Sequence, residues 1–234
     1  MDIAELSRKV DYLSSMEEIR SLQGKYQYLL LKQEGKRIAE ECFVRHTPGA
    51  MIEASDSGAF CGVEGIERFF EVHMPMVWQK TGFFTAHMSL NPYIWFDKEM
   101  KSAKGVWWAP GYFGCKGADD AIVLGIYLID YYREDGEWRI WKCNMTPFFR
   151  TPYHEGWGRV PISNSVSDGL QDIPPTAWNP YDPNKTGPEL FCHLWDLPED
   201  ATFERMPEDL EDRFVNNYKN NSQPIGAPKM RGEA

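Results

Sequence analysis

The sequence predicts an α+β fold, a strongly curved antiparallel sheet wrapped around N-terminal helices and followed by a long Pro-rich C-terminal extension. Residues 81–150 read as four long, aromatic-rich strand patterns in succession. Two amphipathic helix patterns and a shorter helix precede them. Twelve of the sixteen prolines lie from Pro147 onward, so the regular patterning stops there. Helices first and sequential strands afterwards let a sheet curl over a helix and leave a hollow at its mouth.

Each element has its own signal. Ser15-Met16-Glu17-Glu18 is a capping-box pattern, and Ile19, Leu22, Tyr26, Leu29 and Leu30 follow at helical spacing, which predicts a helix ending near Gly35. A second helix is expected over 36–43, stopped by Thr47-Pro48-Gly49. Short strands are expected over 50–54 and 59–62. Residues 63–77 carry Ile66, Phe69, Phe70 and Met74 on one helical face. The strands then run over 83–96, 101–113, 121–133 and 138–149. Asp135-Gly136 marks a tight hairpin, and the short turns imply antiparallel neighbours.

The domain division that follows is 1–150 for the α+β body and 151–234 for the extension. The extension lacks periodicity apart from a possible helix over 207–218. It carries Tyr153, Trp157, Trp178, Tyr181, Phe191 and Trp195, more large aromatics than disordered linkers hold. It is expected to be ordered, packed on the main domain or a partner subunit, with about the last ten residues loose.

Composition narrows the function. A net charge of −10 offers no basic field for phosphates, which argues against nucleic acid. No apolar run approaches the roughly 20 residues of a membrane span. The N-terminus is polar and helical, without the apolar core of a secretion signal. The five cysteines are scattered and show no CxxC, so they read as reduced thiols of a cytoplasmic protein. His46, His73, His154 and His193 are dispersed, and neither metal-ligand spacing nor a nucleotide-binding glycine motif occurs, so no metal or cofactor is expected. Aromatic residues at 14% exceed what a core of this size needs, which points to an aromatic small molecule as ligand.

The chain resembles the SnoaL-like branch of the NTF2-like superfamily over residues 10–150. The resemblance rests on Ile19-Arg20-x-Leu22-x-x-x-Tyr26, on Gly62-Val63-Glu64-Gly65-Ile66, on Thr85-Ala86-His87 with Asn91-Pro92-Tyr93-Ile94, and on Asp135-Gly136-Glu137-Trp138-Arg139-Ile140, in that order. It implies a cone with a deep apolar cavity, commonly a homodimer or homotrimer. Dehydratases of this fold commonly carry an Asp late in the first helix, and that position falls on Leu31 here. Their second histidine has no match in Gly105-Val106-Trp107-Trp108. Scytalone-dehydratase-type enzymes and lignin-dimer formaldehyde lyases share the fold. The resemblance therefore suggests a cofactor-independent lyase, dehydrating or deformylating an aromatic compound. The alternative is a ligand-binding or scaffold subunit without catalysis.

The candidate catalytic residues are His87, Tyr26 and Tyr127. An imidazole in an apolar hollow is a general base near neutral pH, although a buried histidine also serves packing alone. A phenol can donate to an oxygen that gains charge. Trp107, Trp141, Tyr28, Arg150 and Asn91 are the candidate substrate contacts. Tyr28 lies about 200° around the helix from Tyr26, so the two cannot both face inward. Asp130, conspicuous among apolar neighbours, is expected to pair with Lys142 or Arg139.

Overall fold

A computed structural model describes residues 2–156, except 55–57 and 118–119. The segment from Trp157 onward, including the helix expected over 207–218, lies outside the described residues.

Helix α1 spans Ile3–Leu31 and is capped by Asp2, whose carboxylate accepts from Glu5 N at 2.7 Å. The helix therefore begins well before the Ser15 capping-box pattern. No breaker separates residues 3 and 15, and Ser15 is buried inside the helix, where its Oγ accepts from Arg133 at 3.3 Å. The buried stripe Ile19, Leu22, Gln23, Tyr26, Leu29 and Leu30 follows the 3.6-residue period. Helix α2 spans Gly35–Cys42.

The third helix predicted over 63–77 is α3 (Gly62–Arg68), a π turn at Phe69–His73, and α4 (Met74–Trp78). Pro75 explains the interruption. It has no N–H for an α-helical bond, and its ring crowds the carbonyl one turn earlier. The wider π turn accommodates both and keeps Phe69, Phe70 and His73 buried.

The strands are β1 (Met51–Ala54), β2 (Gly58–Cys61), β3 (Phe84–His87), β4 (Leu90–Phe96), β5 (Ser102–Gly114), β6 (Ala121–Glu134) and β7 (Glu137–Pro152). They form one sheet in the order β2-β1-β7-β6-β5-β3, with β4 also on β5. The long neighbours are antiparallel as expected, whereas β1 joins β7 in parallel. The single strand expected over 83–96 is two strands. β3 pairs with the far end of β5 and β4 with the near end, and the chain breaks between them at Met88-Ser89. The helices lie on the concave side, where Tyr26, Phe43, Phe70, Trp107, Tyr127 and Tyr131 join one core cluster.

Polar anchors fix the loops around this core. Glu134, at the end of β6, accepts from the backbone N–H of Arg45 (2.6 Å), His46 (2.8 Å) and Thr47 (2.8 Å), and from Thr47 Oγ1 (2.8 Å). Burial pushes this carboxyl up, but the four donors outweigh it and hold the pKa at about 2. Its unfolded value is near 4.3, so ionised Glu134 contributes on the order of 3 kcal/mol. That contribution is complete above about pH 4.3 and disappears as pH falls toward 2. Glu134→Gln is therefore expected to lower stability at pH 7 by about 2–3 kcal/mol and to match the parent near pH 2. Denaturant melts at the two pH values check this.

Asp130 forms an ion pair, but with Lys104 on β5 at 3.1 Å, and both side chains are only 6% exposed. Burial pushes the Asp130 carboxyl up, while Lys104 and then Lys142 pull it down. Arg139, the other expected partner, bonds Glu137 at 2.7 Å instead. A bulge between Asp130 and Tyr131 opposes Trp141 to no single residue and puts Asp130 opposite Lys142.

Candidate functional site

The strand register places His87, Gly111, Val123 and Arg150 side by side on four adjacent strands. The next row toward the sheet end is Thr85, Phe113, Ala121 and Pro152. Because alternate residues share a face, both rows lie on the concave side with Ala109, Trp107 and Tyr127. Small residues in these rows leave His87 room to lie across the sheet. A Cβ on Gly111 would sit 2.8 Å from Val123 Cγ1 and 3.0 Å from both Ala86 O and His87 Nδ1. Gly111→Ala should therefore push the imidazole off its seat. We expect turnover to fall at least tenfold, with a smaller proportional change in Tm, as read by paired kinetics and thermal melts.

His87 is half-buried. Its ring meets Phe113 edge-on at 4.8 Å and Tyr127 at 6.2 Å between centroids. Tyr127 in turn meets Tyr26 at 6.2 Å, nearly perpendicular. The buried Arg150 guanidinium lies 5.8 Å from the Phe113 ring centre. His87, Tyr127, Tyr26, Phe113 and Arg150 thus form one contiguous group.

The two tyrosines differ in what they can give. Burial pushes both phenols above the ordinary value of 10. Both are therefore neutral near pH 7 and keep a proton to donate. Tyr26 hydrogen-bonds the sulfur of Cys143, itself pushed up to about 12 by burial. Tyr127 receives a hydrogen bond from the Gln27 side chain, which steadies the phenol oxygen and leaves its proton to be donated.

Gln27 belongs to a buried polar chain that sequence reasoning did not single out. Trp107 Nε1 donates to Tyr131 Oη at 3.0 Å, and Tyr131 donates to Gln23 Oε1 at 3.1 Å. The Gln23 and Gln27 amides each donate to Ser89 Oγ at 2.9 Å. The four-residue spacing of Gln23, on the buried stripe, and half-buried Gln27 beside it was the available signal. Their partners lie more than sixty residues away.

The other candidates fall outside this group. Tyr28 is 60% exposed on the far face of α1, with Lys32 Nζ 5.6 Å from its ring centre. Asn91 is exposed at the bulge of β4 with φ 45°, a left-handed backbone that asparagine tolerates. Trp141 donates from Nε1 to Pro48 O at 2.8 Å and so serves the loop after α2. Trp107 is on the concave face, but its indole N–H is spent on Tyr131. Leu31, the late helix position to which the resemblance assigned an acid, is half-exposed. Among the described residues no group of three or more His, Cys, Asp or Glu is placed to hold a metal. No described helix is long and apolar enough to cross a membrane.

Curled sheet and helices on its concave side define an NTF2-like α+β fold. The SnoaL-like domain family matches residues 11–144, more than half of the chain, and the chain belongs to that family. Solved structures agree on the fold. One is a hexachlorocyclohexane dehydrochlorinase, LinA type 2, with a TM-score of 0.53 and 21% identity, covering 62% of this chain and 92% of that one. Another is a provisionally assigned scytalone dehydratase from Novosphingobium aromaticivorans DSM 12444, at 0.53 and 20%, covering 62% and 92%. A third is the LinA-type3 dehydrochlorinase from Novosphingobium barchaimii LL02, at 0.53 and 20%, covering 62% and 94%. No curated protein matches the chain.

Proposed function

We propose that this protein is a cofactor-independent lyase acting on an aromatic small molecule. The substrate class is a lignin-derived diaryl compound, which would be deformylated, or a hydroxylated phenolic or polyketide, which would be dehydrated. The observation that supports the reading is His87 seated over Gly111 beside Tyr127, Phe113 and Arg150. In this reading the imidazole accepts a proton from an O–H or an activated C–H of the substrate. Tyr127 donates to the oxygen that gains charge, with Tyr26 behind it. In dehydration the C–H electron pair forms the new double bond and the hydroxyl leaves as water, taking a proton from the donor. In deformylation the proton leaves a hydroxymethyl O–H, the C–C electron pair moves into a conjugated quinone-methide-like system, and formaldehyde departs. Phe113 supplies a ring face for the aryl group, and Arg150 a planar fork for a phenolate or carboxylate. The fold relatives whose names indicate elimination chemistry add to this reading. An assembly of two or three copies goes with it and is checked by light scattering.

A non-catalytic ligand-binding role is the second reading, favoured by Leu31 at the helix position of the expected acid. Incubation with a panel of phenolic dimers and hydroxylated polyketides separates the two. Release of formaldehyde or an 18-dalton loss, followed by mass spectrometry, is the expected result. Saturable binding with no product from any member would overturn the enzyme reading.

A further inference from the structure

The convex side of the sheet is not built like a face left to water. Strand β6 is apolar on both faces, with Val123, Tyr127, Ile129 and Tyr131 inward and Ile122, Leu124, Ile126 and Leu128 outward. A strand of that kind belongs to a sheet covered on both sides. The burial agrees. Ile126 and Leu128 are buried yet stand outside the core cluster that the helices complete on the concave side. The same convex face holds the buried Lys104–Asp130 pair. It also holds buried Glu53, which accepts from Asn144 Nδ2 at 2.9 Å. Charges withdrawn this far from water require something over them. The buried apolar side chains of the helices, Val77 apart, all belong to the concave cluster and so do not supply that cover. Around the patch Trp108 and Tyr112 remain about half exposed.

We propose that residues 157–234 of the same chain lie across this convex face and form its second layer. The chain leaves β7 at Pro152, from within the sheet rather than from a distant appendage, and 78 residues follow Gly156. Five strand spacings of about 4.8 Å make the sheet roughly 24 Å wide, which about eight extended residues can cross. The segment is rich in proline and cannot readily add a hydrogen-bonded strand to an edge, but it can run over a face. Its aromatic side chains, Trp157, Trp178, Tyr181, Phe191, Trp195, Phe203, Phe214 and Tyr218, recur along it and suit an apolar sheet surface rather than solvent.

The test uses the full chain with a photo-crosslinking p-benzoylphenylalanine in place of Trp108 and, separately, of Val106, which tolerate replacement better than the buried positions. The expected product is a cross-link within one chain, migrating as monomer, whose linked peptide falls in 157–234. The same group in place of Tyr28, on the far side of the molecule, is expected to give none. Links between two copies, identified by mixing isotopically light and heavy chains, would overturn the proposal in favour of a second copy as cover. Absence of any link from both convex positions would overturn it equally. A link to 157–234 from Tyr28 at equal yield would show a loose tail and count against it.

Discussion

Replacing His87 by asparagine is expected to lower turnover by about 10²–10⁴-fold while leaving the thermal midpoint within a few degrees of the parent. The factor is what a positioned general base contributes to a proton transfer. Asparagine preserves a polar side chain of similar reach above Gly111 but cannot accept a proton near pH 7. The ring is half-buried and rests against Phe113 and Tyr127, so its loss removes some packing without opening the core. Ligand affinity should change little, so the effect falls on kcat rather than KM. Tyr127→Phe is the companion. It keeps the ring contacts with Tyr26 and His87 and removes only the donor. A loss of about 10²–10³-fold is expected if the phenol steadies developing charge. Equal turnover in the His87→Asn variant and the parent would end the general-base reading.

Lys104→Met is expected to destabilise the fold by about 3–5 kcal/mol at pH 7. The change strands the Asp130 carboxylate in a site that burial already disfavours for charge. For a domain of this size that is a fall in Tm on the order of 10 °C. The sign with pH is opposite to that of Glu134. The folded pKa of Asp130 is raised above its unfolded value near 3.9, so its effect is absent below that value and stability is lost as pH rises through the folded pKa. The variant should therefore approach the parent near pH 4 and diverge above it. The double change Lys104→Met with Asp130→Leu should recover most of the loss, because two apolar groups need no partner. Circular-dichroism melts across that range measure all three. If the single variant melts with the parent at pH 7, the pair is not buried in solution.

Much of this fold could be read from local signals. The buried stripe of α1, the Thr47-Pro48-Gly49 stop, the Asp135-Gly136 hairpin and the long strands each depend on residues close in sequence. The errors share a different cause. Ser15 resembles a helix start, but a capping pattern within an unbroken helical run is overruled by the helix itself. The break after His87 escapes the pattern because Ser89 is tied to α1 by Gln23 and Gln27, contacts made only once the chain has folded. The partner of Asp130 depends on the β5–β6 register, which sets Lys104 opposite it and which the pattern of a single strand does not reveal. The candidate site divided in the same way. His87, Tyr26, Tyr127 and Arg150 were legible from type and face and form one group. Trp141 and Asn91 were lost to bulges, and the opposition of Tyr28 to Tyr26 followed from helical angle alone.

The margins of the sheet carry a consequence for the molecule's life at high concentration. Among the described residues its outermost strands are the four-residue β2 and, at the other border, β3 and β4, with Asn91 left-handed and Pro92 beside it. Neither presents a long, flat row of open N–H and C=O groups on which another chain could template. Among the described residues these outer strands thus withhold, from an aromatic-rich and heavily β-structured body, the register that fibril growth requires.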